Sequence, residues 1–300
     1  MNKKIILGTW PLSGDYGQIS LTEVERVILE SIERGIYQID TAPSYGGGFI
    51  ESSLGLIVPQ SRYENILIDT KVGNLPLEGK SFKLSKLKKS FEHSLKRLRR
   101  EKINTLYIHN PRLSEMELMS LYEFLDDLKS KGYINKTGVS LARDCLFSDK
   151  TLNHFDVIQD DFNLLYINNI FKANQVNAEF ISRSPFASGL LSGKICLDSK
   201  FDPTDHRSGW LKGERLKSLL SRVKKIQDTF PSYSIIEVAS AFVLGQQNIN
   251  KTIFGFKSIK QLEVFLDSIV KTQLSIIDMK EVEHLFYNDF GLENQINLGY

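Results

Sequence analysis

Hydrophobic and polar positions along the chain follow two periods, which predict short strands separated by helices. The first helical stripe lies in LTEVERVILESIERG and comprises Leu21, Val24, Val27, Ile28 and Ile32. Ser20 and Glu23 have capping-box spacing at the start of this helix. The strands predicted after the first one are residues 36–39, 66–68, 106–108, 138–140, 157–158, 180–182 and 252–254.

This alternation predicts a parallel sheet built from βαβ units. A strand count near eight over 300 residues favours a closed barrel, so we predict an α/β fold with one (β/α)8 TIM barrel domain over residues 1–300. The doubly wound alternative is weakened because no GxGxxG motif follows the first strand. Residues 195–213 have no periodicity, which is typical of a functional or disordered loop. They follow the seventh strand, so we expect this loop at the catalytic face.

The charge of the chain is nearly balanced at +2, which argues against a nucleic-acid partner. We therefore interpret the basic run from Lys83 to Arg100 as the solvated face of an amphipathic helix over residues 83–99, whose apolar stripe faces the barrel. Ser114 and Glu117 predict the start of the next helix, which extends to about Ser130.

The composition predicts a cytoplasmic protein with no membrane span. Hydrophobic residues make up 41% and charged residues 25% of the chain, as in ordinary globular proteins. The chain lacks an apolar run of membrane-spanning length, and its first residues lack the features of a signal peptide. The two cysteines, Cys145 and Cys196, form no CxxC pair, which predicts reduced thiols.

Four polar residues lie at or just after the ends of predicted strands: Asp40, Tyr45, Lys71 and His109. The carboxyl ends of barrel strands meet at one face, so these side chains are expected in one pocket. A nearby ammonium lowers the pKa of a phenol, a carboxylate holds that ammonium in place, and a histidine orients a carbonyl oxygen. This set predicts acid–base chemistry, and its spacing does not match a metal site.

Segments from strand one to strand eight resemble the aldo-keto reductase superfamily, in the order of that family. They include ILGTWPL, IDTAPSYGGG, ESSLG, DTKVG, LYIHNPR, GYINKTGVS, DVIQDDFN, SRSPFASGLLSGK and IFGFKS. The resemblance implies hydride transfer between NADP(H), or NAD(H), and a small-molecule aldehyde, ketone or sugar-like carbonyl. It also implies that Asp40, Tyr45, Lys71 and His109 are the catalytic residues, with Tyr45 as general acid in reduction and general base in oxidation.

The resemblance also implies a set of cofactor-binding residues. Those expected at the nicotinamide end are Gly8, Thr9, Trp10, Asp40, Ser140, Gln159 and Arg183. Those expected along the pyrophosphate are Ser184, Pro185, Ala187, Gly189, Leu190, Lys194 and Arg207. Those expected at the adenosine 2′-phosphate are Gly255, Lys257, Ser258 and Gln261. A helix N-terminus with a nearby lysine is also a sound anion site on physical grounds.

The sequence departs from the common family pattern at three places. Arg183 stands where many members have an aromatic residue that stacks on nicotinamide. The usual Ser-Asn after strand five reads Ser140-Leu141, and the usual Glu-Asn that grips adenine reads Val264-Phe265. The preference between NADPH and NADH therefore stays open.

Other interpretations also stay open at this level. Ser258 and Gln261 have capping-box spacing, and Lys194 and Arg207 are equally consistent with solvated charges. A nucleotide-binding sensor or regulatory subunit of the same fold, with little turnover, is the alternative function. A metal-dependent hydrolase lacks the necessary clusters of His and Asp ligands. Neither the substrate nor the oligomeric state follows from the sequence.

Overall fold

Eight parallel strands close into a ring in the computed structural model, which describes residues 2–142, 147–167 and 170–290. The strands are β1 Ile5–Gly8, β2 Gln38–Asp40, β3 Leu67–Val72, β4 Ile103–His109, β5 Ile134–Ser140, β6 Val157–Asp161, β7 Glu179–Arg183 and β8 Lys251–Gly255. Each strand pairs with its neighbours in chain order, and Gly8 of β1 pairs with both Asp40 and Gly255 to close the ring. The predicted (β/α)8 TIM barrel is confirmed.

Helices surround this ring. They are α1 Leu21–Glu33, α2 Phe49–Ile57, α3 Leu84–Leu98, α4 Glu115–Ser130, α5 Asp149–Leu152, α6 Ile170–Gln175, α7 Gly213–Thr229, α8 Ile235–Gly245, α9 Ile259–Lys271 and α10 Ile276–His284. The apolar core between ring and helices is continuous and contains both strand and helix residues, such as Ile39, Val27 and Leu262. A short antiparallel hairpin, residues 74–80, follows β3.

The barrel interior has an apolar layer between two polar layers. The apolar layer contains Ile6, Tyr107, Val157, Ile181 and Ile253. Towards the amino ends of the strands lies a floor of polar residues, in which Lys251 donates to Gln38 and Lys136 pairs with Glu179. Gln38 and Asn104 donate to Asp69, which is fully buried in the same floor.

Most predicted elements are present with shifted bounds. The helix predicted over 83–99 spans Leu84–Leu98, and Ser114 and Glu117 form a complete capping box at the start of α4. Ser20 accepts a hydrogen bond from the Glu23 amide at the start of α1. The stripe predicted on α1 is wrong in one member, because Leu21 is half exposed whereas Val24, Val27 and Ile28 are buried.

The described residues test three further predictions only in part. Cys196 is an exposed free thiol, and Cys145 lies outside the described residues. The end of the domain at Tyr300 also lies outside them, so that limit stays a prediction. Over the described ranges, every helix is too short or too polar to cross a bilayer.

Candidate active site

The four predicted acid–base residues meet at the carboxyl end of the ring. Asp40 ends β2, His109 ends β4, and Lys71 is the penultimate residue of β3. Lys71 Nζ lies 2.6 Å from Asp40 Oδ1 and donates to the Thr41 carbonyl at 2.8 Å. The same ammonium lies 5.1 Å from the centre of the Tyr45 ring, and the Tyr45 and His109 rings meet edge to face at 6.2 Å.

Tyr45 is held in this group by a tight turn, Tyr45–Gly48, which precedes α2. Gly46, Gly47 and Gly48 all have positive φ, a conformation that favours glycine. A Cβ on Gly46 would lie 2.7 Å from the Ser13 carbonyl oxygen, so the turn approaches the loop after β1 closely. The glycines of IDTAPSYGGG thus let the phenol turn back towards Lys71.

Burial and nearby charges together set the protonation of this cluster. Burial raises the pKa of Tyr45, and the nearby charges of Lys71 and Arg183 lower it only in part. The expected acidification by Lys71 is therefore present as one contribution, but the net direction is upward. Burial lowers the pKa of Lys71, yet the charges of Asp40 and Tyr45 outweigh this and raise it, so the ammonium stays protonated.

His109 is uncharged at neutral pH. Burial is the largest cause of its low pKa, and the positive charges of Lys71, Arg183 and Lys80 lower the pKa further, to well below the ordinary value. A neutral imidazole can donate one hydrogen bond to an oxygen without itself delivering a charge. Its environment suits orientation of a polar group beside Tyr45.

Asp40 also joins a chain of hydrogen bonds across the barrel. Gln159 Nε2 donates to Asp40 Oδ2 at 3.0 Å, and Ser140 Oγ donates to Gln159 Oε1 at 2.7 Å. Thr9 bonds the Asp40 carbonyl through both its amide and its hydroxyl, at 3.0 and 2.9 Å. Asp40 is therefore fixed on both its backbone and its side chain.

Arg183, at the end of β7, points into the same cavity. Its guanidinium lies 3.0 Å from Asp161 Oδ1 and donates to the Leu141 carbonyl at 2.8 Å. Asp161 is fully buried, so this ion pair sets the direction of the arginine. An oriented cation replaces the aromatic residue that is common in the resembling family.

A cavity of about 290 Å³ extends from Tyr45 towards α9. The predicted residues that line it are Gly8, Trp10, Asp40, Tyr45, Gln159, Arg183, Ser184, Pro185, Gly189, Lys194, Arg207, Gly255, Lys257 and Gln261. The predicted residues outside this lining are Thr9, Lys71, His109, Ser140, Ala187, Leu190 and Ser258. Ala187 and Leu190 lie in the apolar core.

The segment after β7 has an unusual backbone. Ser184, Ala187 and Ser188 have positive φ although none is glycine, and Gly189 follows with φ 93°. Such conformations cost energy and cluster where function or close contact requires them. This segment forms one wall of the cavity through Ser184, Ser188 and Gly189.

Cations and loop contacts close the far end of the cavity. Lys257 Nζ donates to the Tyr16 and Gly17 carbonyls at 2.6 and 2.9 Å. Arg207 pairs with Asp205, donates to the Ser188 carbonyl, and lies 4.9 Å from the Tyr16 ring centre. We call Tyr16, Arg207 and Lys257 the loop bridge, because they connect the loops after β1, β7 and β8.

The loop bridge separates two cavities. An outer cavity of about 560 Å³ shares five lining residues with the inner one: Tyr16, Lys194, Ile195, Arg207 and Lys257. The non-periodic loop 195–213 thus lies against this face, where His206 donates its amide to the Asp15 carbonyl at 2.8 Å.

The start of α9 is built by capping. Ser258 Oγ accepts from the Gln261 amide, and Gln261 Oε1 accepts from the Lys257 amide at 2.7 Å. Capping is therefore one role of both Ser258 and Gln261. Phe265 is fully buried and packs against Phe254 with ring centres 4.3 Å apart, whereas Val264 lines the cavity.

Several lining residues were not predicted. They are Pro11, Tyr16, Phe186, Ser188, Ser192, Ile195, Ile236, Ile253, Phe256 and Val264. Tyr16 follows β1 at the catalytic face, so the strand-end rule was the signal that points to it. Ile236 lies on α8 and carries no such signal in the sequence.

Comparisons with known proteins agree on the family. The model of the Aldo/keto reductase family matches residues 4–286. The chain is 26% identical over 306 residues to aldo-keto reductase YhdN of Bacillus subtilis, covering 95% of this chain and 90% of that protein. It is 25% identical over 292 residues to the L-galactose dehydrogenase of Arabidopsis thaliana, covering 91% and 86%.

A solved structure shares the fold. The glycerol dehydrogenase AKR11B4 from Gluconobacter oxydans superposes with a TM-score of 0.78 at 24% identity, over 98% of this chain and 94% of that one. The closed (β/α)8 barrel and the family match over nearly the whole chain together identify an oxidoreductase. The chain belongs to the aldo/keto reductase family.

Proposed function

We propose that the chain catalyses reversible hydride transfer between NADP(H) and an aldehyde, ketone or sugar-like carbonyl. The observation that carries this proposal is the buried Lys71–Asp40 ion pair, 2.6 Å long, beside Tyr45 at one end of a long cavity. Two relatives are named for L-galactose and glycerol, which supports polyhydroxylated substrates as the first to test.

The cavity lining fits a nicotinamide dinucleotide in its chemistry. The Gln159 amide suits the carboxamide of the nicotinamide, and the adjacent Asp40 carboxylate suits its ribose. The positive-φ segment at Ser184–Gly189 offers backbone amide groups to the pyrophosphate. Lys194, Arg207 and Lys257 supply cations at the far end. A bound, reduced nicotinamide supplies the hydride.

The side chains of this protein handle the proton. In reduction, the Tyr45 hydroxyl donates its proton to the carbonyl oxygen, and in oxidation the phenolate takes it back. The Lys71 ammonium stabilises the phenolate, Asp40 holds the ammonium, and neutral His109 orients the oxygen through a hydrogen bond. Positioned acid–base catalysis of this kind is worth about 10² to 10⁴ in rate.

Replacing the phenol tests this role. Tyr45→Phe is expected to lower kcat for carbonyl reduction by about 10² or more while leaving the Kd of the cofactor unchanged. Tyr37→Phe makes the same chemical change at an exposed position and should keep wild-type rates. Equal rates for wild type and Tyr45→Phe would show that another group protonates the substrate. Tight cofactor binding with no turnover on a broad carbonyl panel would instead favour a sensor or regulatory role.

Cofactor preference has its own test. Lys257→Met is expected to raise the Kd of NADPH about tenfold or more, measured by fluorescence quenching, and to leave the Kd of NADH nearly unchanged. Lys260→Met removes an exposed lysine of α9 and should leave both constants unchanged. An equal loss for both cofactors would mean that Lys257 acts only through its bonds to the Tyr16 and Gly17 carbonyls.

A further inference from the structure

A buried carboxylate, Glu51, lies behind the active site, on the side of β3 opposite Lys71. Glu51 in α2 is fully buried. Its Oε1 accepts from Thr70 Oγ1 at 2.6 Å, and its Oε2 accepts from Arg97 Nε at 2.8 Å and Ser94 Oγ at 3.2 Å. Burying a carboxylate is costly unless it is paired and hydrogen-bonded, and Glu51 has both an ion-pair partner and hydroxyl donors.

The first contact reaches the strand that carries Lys71. Thr70 directly precedes Lys71, and successive side chains of a strand point to opposite faces. Lys71 therefore projects into the barrel while Thr70 projects towards the helices, where Glu51 accepts its hydroxyl. A bond at Thr70 fixes the strand at the residue next to the ammonium.

The second contact reaches the turn that carries Tyr45. Arg97 of α3 pairs with Glu51 at 2.7 Å, and its side chain also lies along Gly48. A Cβ on Gly48 would be 3.2 Å from Arg97 Cδ, so the arginine packs against the end of the glycine turn. The turn is enclosed between Arg97 on one side and the Ser13 carbonyl on the other.

We propose that Glu51 is a positioning residue that sets the separation of Tyr45 and Lys71 by joining the glycine turn to strand β3. The inference rests on the proposed acid–base role of Tyr45. Three glycines with positive φ leave the turn little conformational preference of its own, so contacts from outside the turn are needed to fix its conformation. Glu51 bonds both sides of the gap, through Thr70 towards Lys71 and through Arg97 towards Gly48.

The test removes the strand side of the clamp with a nearly isosteric change. Thr70→Val is expected to lower kcat roughly tenfold to a hundredfold, without a change in the KM of the cofactor. The limb of the kcat–pH profile that reports Tyr45 should move to higher pH, because the phenol loses part of the influence of Lys71. Thr70→Ser keeps the hydroxyl and should restore both rate and profile. Glu51→Gln, which weakens the Arg97 side, should resemble Thr70→Val.

A second readout does not depend on turnover. In protein labelled with ¹³C at tyrosine Cζ, the Tyr45 resonance is identified by its loss in Tyr45→Phe. It should shift in Thr70→Val and return in Thr70→Ser. Ser90→Ala is the control, because it removes a buried hydroxyl from α3, the helix that also carries Arg97. The Ser90 hydroxyl has no hydrogen-bond partner among the described residues, so the Tyr45 resonance should stay in place.

The outcomes separate two failures. A folded Thr70→Val protein with an unmoved Tyr45 resonance and a wild-type pH profile overturns the positioning role. A wild type without carbonyl turnover, in which the resonance still shifts on Thr70→Val, overturns the proposed reaction and keeps Glu51 as the clamp of the turn.

Discussion

At the scale of single residues, burial decides the direction of the Tyr45 pKa, which lies above its ordinary value although the Lys71 ammonium lies nearby. Asp40, Lys71 and His109 lie at strand ends, as the apolar runs before them indicate. Tyr45 joins them because glycines follow it. The sequence carries no measure of depth, however, so it predicted the effect of Lys71 on the phenol but not the larger opposing effect of burial.

Asp69 offers a residue-scale prediction that is independent of catalysis. Burial raises its pKa to about 6 from 3.8, so the folded protein binds this proton more tightly than the unfolded chain. The group stabilises the fold at low pH, and this contribution is lost as pH rises through about 6. The free energy of unfolding of Asp69→Asn minus that of wild type should therefore increase by about 2 kcal/mol between about pH 4 and pH 7.

Urea titrations of both proteins at several pH values measure this difference. The size of the difference at any one pH also depends on hydrogen bonds. Gln38 and Asn104 donate to the two different oxygens of Asp69, and an asparagine has only one oxygen to accept them. The slope with pH is the diagnostic quantity. A difference that stays constant across this range would place the proton elsewhere.

At the scale of elements, caps were predicted well and strand lengths poorly. Ser114 with Glu117 and Ser258 with Gln261 begin helices where their spacing indicates. The fifth strand was predicted over residues 138–140 but spans Ile134–Ser140. Its extra residues include Lys136, which pairs with Glu179 inside the barrel floor. Period and polarity mislead where charged side chains line the floor of a barrel.

Gly55 gives an element-scale prediction about helix packing. A Cβ at this buried position of α2 would collide with the Arg97 carbonyl and lie 2.9 Å from the Leu98 carbonyl carbon of α3. Gly→Ala inside a helix normally stabilises by about 1 kcal/mol. Here the sign should reverse, because the backbone of α3 cannot move aside for a methyl group. Gly55→Ala should lower the free energy of unfolding by about 2–3 kcal/mol in chemical denaturation.

Gly209→Ala is the matched control, since nothing lies within 4 Å of its Cβ position. Its free energy of unfolding should stay within about 0.5 kcal/mol of wild type. Stabilisation by Gly55→Ala would mean that α2 and α3 do not approach as closely as described.

At the scale of the whole molecule, counting strands was enough to predict the closed ring, because strand order follows chain order. Contacts between distant loops were beyond such reasoning. Tyr16 and Lys257 are 241 residues apart and meet only because β8 returns to pair with β1. Ring closure therefore creates the loop bridge, and no local pattern in either loop indicates it.

The loop bridge predicts how tightly the cofactor is retained. Tyr16 contacts the rings of Trp10 and His206 at 5.2 and 4.5 Å as well as the Arg207 guanidinium. Removing these contacts with Tyr16→Ala should speed NADPH release about tenfold in stopped-flow displacement. Tyr133→Ala, at an exposed site outside the cavity lining, should leave the release rate unchanged.

The loop bridge also has a consequence for the kinetics of turnover. In the proposed reaction, each turnover would leave an oxidised dinucleotide in the inner cavity behind the loop bridge, and a reduced one would have to replace it. We expect this exchange to be slower than the chemical step of the first cycle. Mixing enzyme preincubated with excess NADPH against excess aldehyde should give a burst of one equivalent of NADPH oxidised per site, followed by a slower linear phase set by release of NADP⁺.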